Sequence, residues 1–209
     1  MGRVDPLLMA IKGVLFDFDG TLTVPGALDF PAIKRLLGCP LDHPILEFIA
    51  LQPPDCRPGL MKILEEQEDL AAESSLPNRG AERCLQILKR RQMPLGILTR
   101  SRLKPIRMSL ERFRGITIDY FEAIITREMS LPKPHPDGVI KAAERMGLSP
   151  GELVVVGDFS FDVISGRRAG AVTVLLTNGG VSVMASHDPE PDYIIDHLEE
   201  LPDLLTHGS

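Results

Sequence analysis

Asp17 and Asp19 stand two residues apart in Phe16-Asp17-Phe18-Asp19-Gly20-Thr21, at the end of the apolar run Ile11 to Phe16. Two carboxylates where a buried strand meets a loop outline a phosphoryl-transfer site. A phosphate ester resists direct attack by water, and a protein can split its hydrolysis into two steps through a covalent phospho-carboxylate. Asp17 is assigned as that nucleophile. Its attack requires the repulsion between carboxylate and phosphate dianion to be cancelled, which calls for Mg²⁺ held by one or two carboxylates and substrate oxygen. Asp158, in Gly157-Asp158-Phe159-Ser160-Phe161-Asp162 after the apolar run Leu153 to Val156, supplies the second carboxylate. Asp19 is placed to serve the leaving oxygen, giving a proton in the first step and taking one from water in the second. Both tasks need a pKa near the working pH, hence partial desolvation. The alternative readings are a helix cap for Asp17, Asp158 and Asp162, and a turn residue for Asp19.

Thr99 closes the run Leu95 to Leu98, and it and the backbone after it are placed to hydrogen-bond the non-transferring phosphate oxygens. Lys133, flanked by Pro132 and Pro134, is a positioned ammonium able to cancel charge on both the phosphate and Asp17. Gly20 permits close backbone approach. Arg100 stands open between assisting the phosphate and a surface ion pair.

Four segments, in this order, resemble the motifs of the haloacid dehalogenase (HAD) superfamily: Asp17-Phe18-Asp19-Gly20-Thr21, Thr99, Lys133 and Gly157 to Asp162. The resemblance is to the phosphatase branch with a helical C1 cap, phosphoglycolate phosphatase-like in layout. It implies a Mg²⁺ site made by Asp17, the backbone carbonyl of Asp19, Asp158, and Asp162 directly or through water. Members that cleave carbon-halogen bonds lack the second aspartate, so Asp19 favours phosphoryl transfer. A phosphomutase of the same superfamily is the enzymatic alternative. A non-catalytic phosphate- and Mg²⁺-binding or receiver-like module is the alternative of another class, though receiver domains are shorter and carry no inserted lid.

The elements that must position these groups follow from the hydrophobic pattern. The first strand is apolar throughout, as in a parallel sheet covered on both faces. Downstream of residue 77 helices and strands alternate, over 80–91, 94–99, 103–113, 122–126, 136–146, 153–157, 161–169 and 172–176, followed by a strand at 192–196 and a helix at 197–205. This predicts an α/β fold: a doubly wound, mostly parallel, Rossmann-like sheet. Gly147 and Gly170 fall where helix ends want a left-handed residue. Residues 23–76 instead carry apolar residues at helical intervals, broken by Pro40, Pro44, Pro53 and Pro54. They form a small all-α cap inserted between a catalytic core of 1–22 and 77–209. Its loops 38–43 and 52–57 are the expected seat of specificity, with Lys34, Arg35 and Arg57 as its test residues.

A net charge of -6 without a run of five basic residues argues against nucleic acid or acidic membrane surfaces. Cys39, Cys56 and Cys84 lack metal-ligand spacing and read as buried, reduced thiols of a cytoplasmic protein. The expected partner is a small phosphorylated metabolite, with no obligate protein partner evident. Residues 1–8 read as a short, dispensable extension.

Overall fold

A computed structural model describes residues 6–180 and 184–206. Six strands, β1 (Gly13–Phe16), β2 (Leu95–Leu98), β3 (Ala123–Ile125), β4 (Leu153–Gly157), β5 (Val172–Leu176) and β6 (Tyr193–Ile195), form one sheet in the order β3-β2-β1-β4-β5-β6. Every pairing is parallel, so the expected doubly wound topology is present. The strand ends lie within two residues of their expected positions.

Both faces of β1 are covered because its side chains alternate between two cores. Val14 and Phe16 join Ile97, Val154 and Val156 in one cluster. Helices α5 (Ala81–Arg90), α6 (Leu103–Leu110) and α9 (Leu201–Thr206) cover it, through Leu85, Leu88, Ile106 and Leu201. Leu15 points the other way, to Leu98 and Val155, under Val139, Ala142 and Ala143 of α7 (Asp137–Arg145). On that same face Gly166 of α8 (Ser160–Ala169) lies tight against Val155 and Thr173. Gly147 and Gly170 end α7 and α8 at φ 68° and 84°, as their sequence positions require.

Three helices occupy the stretch after β1: α2 (Phe30–Leu37), α3 (Ile45–Leu51) and α4 (Arg57–Ser74). Asp29 caps α2 by accepting from Ala32 N–H at 2.9 Å, and prolines interrupt the chain where expected. Ile33, Leu37, Ile45, Ile49 and Leu64 make a cluster of their own, separate from the two sheet cores. Phe30 and Leu36, which fall at the same helical intervals, are exposed. The chain leaves and re-enters the sheet region at one narrow place. There Val24 N–H donates to Leu76 O (3.0 Å) and Asn78 N–H to Leu22 O (2.8 Å).

The amino-terminal reading needs correction. Residues Pro6–Met9 form a short helix, α1, and Leu8 is buried in the main core, so the described part of that segment is packed structure. Residues 1–5 lie outside the described residues. Among the cysteines, Cys39 and Cys84 are buried but Cys56 is exposed, since it sits at the solvent-facing start of α4. None of the described helices is long and apolar enough to cross a membrane.

Candidate active site

β1, β2 and β4 all end at the same edge of the sheet, where the strand order reverses between β1 and β4. Open parallel sheets hold ligands at such a point. Asp17 follows β1, and its N–H continues the ladder to Val156 O at 2.8 Å. Thr99 follows β2, its N–H bonded to Ile125 O at 3.0 Å. Asp158 follows β4, and Asp162 lies in the first turn of α8, where its Oδ2 accepts from Phe159 N–H at 3.2 Å.

Lys133 is 3% exposed and ties these groups together. Its Nζ donates to Asp17 Oδ1 (2.8 Å), Asp162 Oδ1 (2.6 Å) and the Leu98 carbonyl (3.1 Å), which uses all three N–H bonds of the ammonium. Burial pushes the Lys133 pKa down, but the charges of Asp162 and Asp17 and their hydrogen bonds outweigh it and leave it above the ordinary lysine value. Asp17 Oδ1 also accepts from Phe18 N–H at 2.7 Å, so its carboxylate is fixed.

The carboxyls crowd one another. Burial first, then repulsion from Asp17, pushes Asp158 up to about 6, against the Thr21 hydroxyl that donates to it at 3.0 Å. Asp162 is pushed up to about 7 by burial and by Asp17 and Asp158, with Lys133 opposing. Asp19 reaches about 8, through burial and then the charges of Asp17 and Glu68. It is more strongly desolvated than its place in a loop suggests, and Glu68 of α4 adds its charge to that of Asp17.

Asp17, Asp158 and Asp162 each offer one oxygen, all within 4.8 Å of one another. Three carboxylates so close, two of them with pKa values raised partly by mutual repulsion, fit a hard divalent cation that takes oxygen ligands. The carboxyl of Asp19 is not among the three. Gly20 stands at φ 85°, and a Cβ there would collide with the Asp158 carboxylate. The close approach that this glycine permits is therefore that of Asp158.

Thr99 is buried, and its Oγ1 accepts from Ser101 N–H at 3.0 Å. Arg100 turns toward the helices of the insertion. It pairs with both oxygens of Glu47 on α3 (3.1 and 2.5 Å), donates to the Lys133 carbonyl, and lies 5.0 Å from the centre of the Phe161 ring. Arg100 thus makes an ion pair that spans two parts of the fold. His43 lines the cavity beside Asp42, and Lys34 lines it too, whereas Arg57 is held on the Gln52 carbonyl outside it. Arg35 is likewise exposed outside the lining.

Several contributors were not read from the sequence. Asn78 Nδ2 donates to Thr21 O (2.8 Å) and Asn178 Oδ1 (2.8 Å), and Asn178 Nδ2 donates to Gly20 O (3.0 Å), so two asparagines hold the loop after Asp17. Glu68 is buried against Arg127 and Arg102. The Ser101 hydroxyl is buried in the cavity wall with no hydrogen-bond partner among the described residues. Only the position of Ser101, two residues after a strand-end threonine, hinted at any of these. The cavity itself, of about 390 Å³, lies between this edge of the sheet and α2 to α4.

Sequence comparison matches residues 24–176 to the family described as haloacid dehalogenase-like hydrolase. An uncharacterized hydrolase of Saccharomyces cerevisiae is 31% identical over 95% of this chain and 92% of its own length. The N-acetylmuramic acid 6-phosphate phosphatase of Pseudomonas aeruginosa is 26% identical over 94% of this chain and 96% of its own. Among solved structures, a predicted phosphoglycolate phosphatase from Haemophilus somnus superposes with a TM-score of 0.71 at 20% identity, covering 93% of this chain and 98% of that one. That likeness bears on the fold.

Proposed function

The chain belongs to the haloacid dehalogenase-like hydrolase family, and we propose that it is a Mg²⁺-dependent phosphatase of small phosphorylated metabolites, working through an aspartyl-phosphate. One observation carries this reading: Lys133 bridges Asp17 and Asp162 beside Asp158, at the carboxyl edge of the sheet, with a protonatable Asp19 two residues on. A phosphatase among the relatives supports the reaction class.

Asp17 attacks phosphorus, forming one P–O bond as the bond to the leaving oxygen breaks. Lys133 and Phe18 N–H fix its carboxylate in a single orientation for that attack. Asp19, with a pKa pushed up to about 8, carries a proton at neutral pH and gives it to the leaving oxygen. Water then attacks phosphorus, the Asp17–P bond breaks, and the water's proton returns to Asp19. The Thr99 hydroxyl and the backbone after it hold the non-transferring oxygens. Asp17, Asp158 and Asp162, with the Asp19 carbonyl, would hold Mg²⁺, whose charge offsets the repulsion between carboxylate and phosphate.

Residues 23–76 act as a lid on the core of 1–22 and 77–209. The separate cluster of α2 to α4 and the narrow crossing at Val24–Leu76 support that division. Three cysteines without disulfides agree with a cytoplasmic setting. The deciding experiment is hydrolysis of 4-nitrophenyl phosphate by the purified chain with Mg²⁺ and with chelator, beside Asp17→Asn. Turnover that survives either chelator or the substitution overturns the reading.

A further inference from the structure

We propose that the cavity selects phosphate monoesters whose leaving group is uncharged and largely apolar, and that Glu47 enforces this choice by neutralising Arg100. The inference rests on the phosphatase reading and extends it to the substrate class.

A leaving group with a second phosphate or a carboxylate needs a cation to receive it. Among the described residues, the basic groups lining the cavity are Lys34, His43, Arg100 and Lys133. Each is engaged. Lys133 is saturated by Asp17, Asp162 and the Leu98 carbonyl. His43 Nδ1 lies 3.0 Å from Asp42 Oδ1, whereas Lys34 Nζ donates at 2.6 Å to the Leu41 carbonyl, a partner without charge. Arg100 presents its planar fork to Glu47, which takes both of its terminal nitrogens, the geometry in which arginine binds a carboxylate most specifically.

The arginines behind Arg100 also meet carboxylates. Arg102 meets Glu68 at 3.2 Å and Asp69 at 3.0 Å, and Arg127 also pairs with Glu68, all of these carboxylates coming from α4. The insertion therefore brings acids to the basic side chains of the core where they come closest to the cavity. Glu68 and Asp42 themselves line the wall beside these cations.

What remains of the wall is apolar. Phe30, Leu46 and Leu64 face it from the insertion and Phe161 from the core. Phe30 keeps 49% of its surface exposed, an area that a bound apolar group would cover.

The test compares two esters of one shape that differ by one charge, 4-carbamoylphenyl phosphate and 4-carboxyphenyl phosphate, in kcat/KM with the full chain and Mg²⁺. The neutral ester should be favoured by about tenfold or more. Glu47→Gln keeps the side-chain size and releases Arg100, and at 40% side-chain exposure the site tolerates the change. It should shrink the ratio by about fivefold or more, through a lower KM for the carboxylate ester, whereas a merely structural defect would lower both esters alike. A wild-type enzyme that cleaves both esters equally, or a folded Glu47→Gln variant with the wild-type ratio, overturns the inference and leaves the phosphatase reading standing. Failure to cleave either ester overturns both.

Discussion

Lys133 Nζ lies 2.8 Å from Asp17 Oδ1 and 2.6 Å from Asp162 Oδ1, so a single buried ammonium orients a carboxylate after β1 and another at the start of α8. Removing it leaves two buried carboxylates facing each other. Lys133→Met should therefore lower kcat by about a hundredfold or more, and destabilise the metal-free chain by about 3 kcal/mol in urea unfolding. Asp17→Asn keeps shape without nucleophilicity and should fold normally while losing turnover. Ordinary rates in either variant would remove its residue from the chemistry.

The raised carboxyls give the metal-free protein a pH dependence of definite sign. Asp158, Asp162 and Asp19 are pushed up to about 6, 7 and 8 from an ordinary value of 3.8, by burial before all else. A carboxyl with a raised folded-state pKa holds its proton more tightly in the fold than in the unfolded chain. The contribution of these three groups to stability is thus full below the ordinary value and is lost as pH rises toward about 8. In chelator, Tm should drop between about pH 5 and pH 8, and Asp19→Asn should flatten that drop, melting above wild type at the alkaline end. A parallel curve for the variant would show that Asp19 does not titrate in this window.

Mg²⁺ should reverse the same slope. A cation bound by Asp17, Asp158 and Asp162 favours their ionised forms, so it should raise Tm more at about pH 8 than at about pH 5. Ca²⁺, which accepts extra oxygen ligands, should bind and stabilise yet inhibit by drawing the second oxygen of Asp17 away from attack. A Tm indifferent to Mg²⁺ at either pH would contradict the metal role of Asp158.

Much of this site was legible in the sequence because its groups sit where strands end. Asp17, Thr99 and Asp158 each follow an apolar run that reads as a buried parallel strand, so the fold itself delivers them to one edge. Lys133 was legible for its prolines. Glu68 and Glu47 were not, since on a helix a lone glutamate reads as solvated surface until its partner is known. The partners of Glu68, Arg102 and Arg127, are 34 and 59 residues away in sequence. Arg100 was ambiguous for the same reason, and Asn78 and Asn178, 100 residues apart, meet only because α5 and the end of β5 flank the loop after Asp17.

That asparagine pair yields the last prediction. Asn78 Nδ2 bonds to Thr21 O and to Asn178 Oδ1, while Thr21 Oγ1 donates to Asp158 Oδ1. The chain Asn178–Asn78–Thr21–Asp158 thus links the end of β5 to the carboxylate after β4 through the loop that carries Asp19. Asn78→Ala leaves the Thr21 carbonyl and Asn178 Oδ1 short of a donor in a buried place, which costs about 1 to 3 kcal/mol. The loop also loses the contact that sets Thr21 against Asp158. Mg²⁺ should then bind more weakly, and kcat at saturating Mg²⁺ should recover more than kcat at limiting Mg²⁺. Asn78→Asp is the sharper probe, because it matches the size but replaces the donor with an acceptor facing the Thr21 carbonyl and Asn178 Oδ1, and it should fare worse than alanine. If both variants titrate with Mg²⁺ as wild type does, the asparagines stabilise the fold without positioning the site.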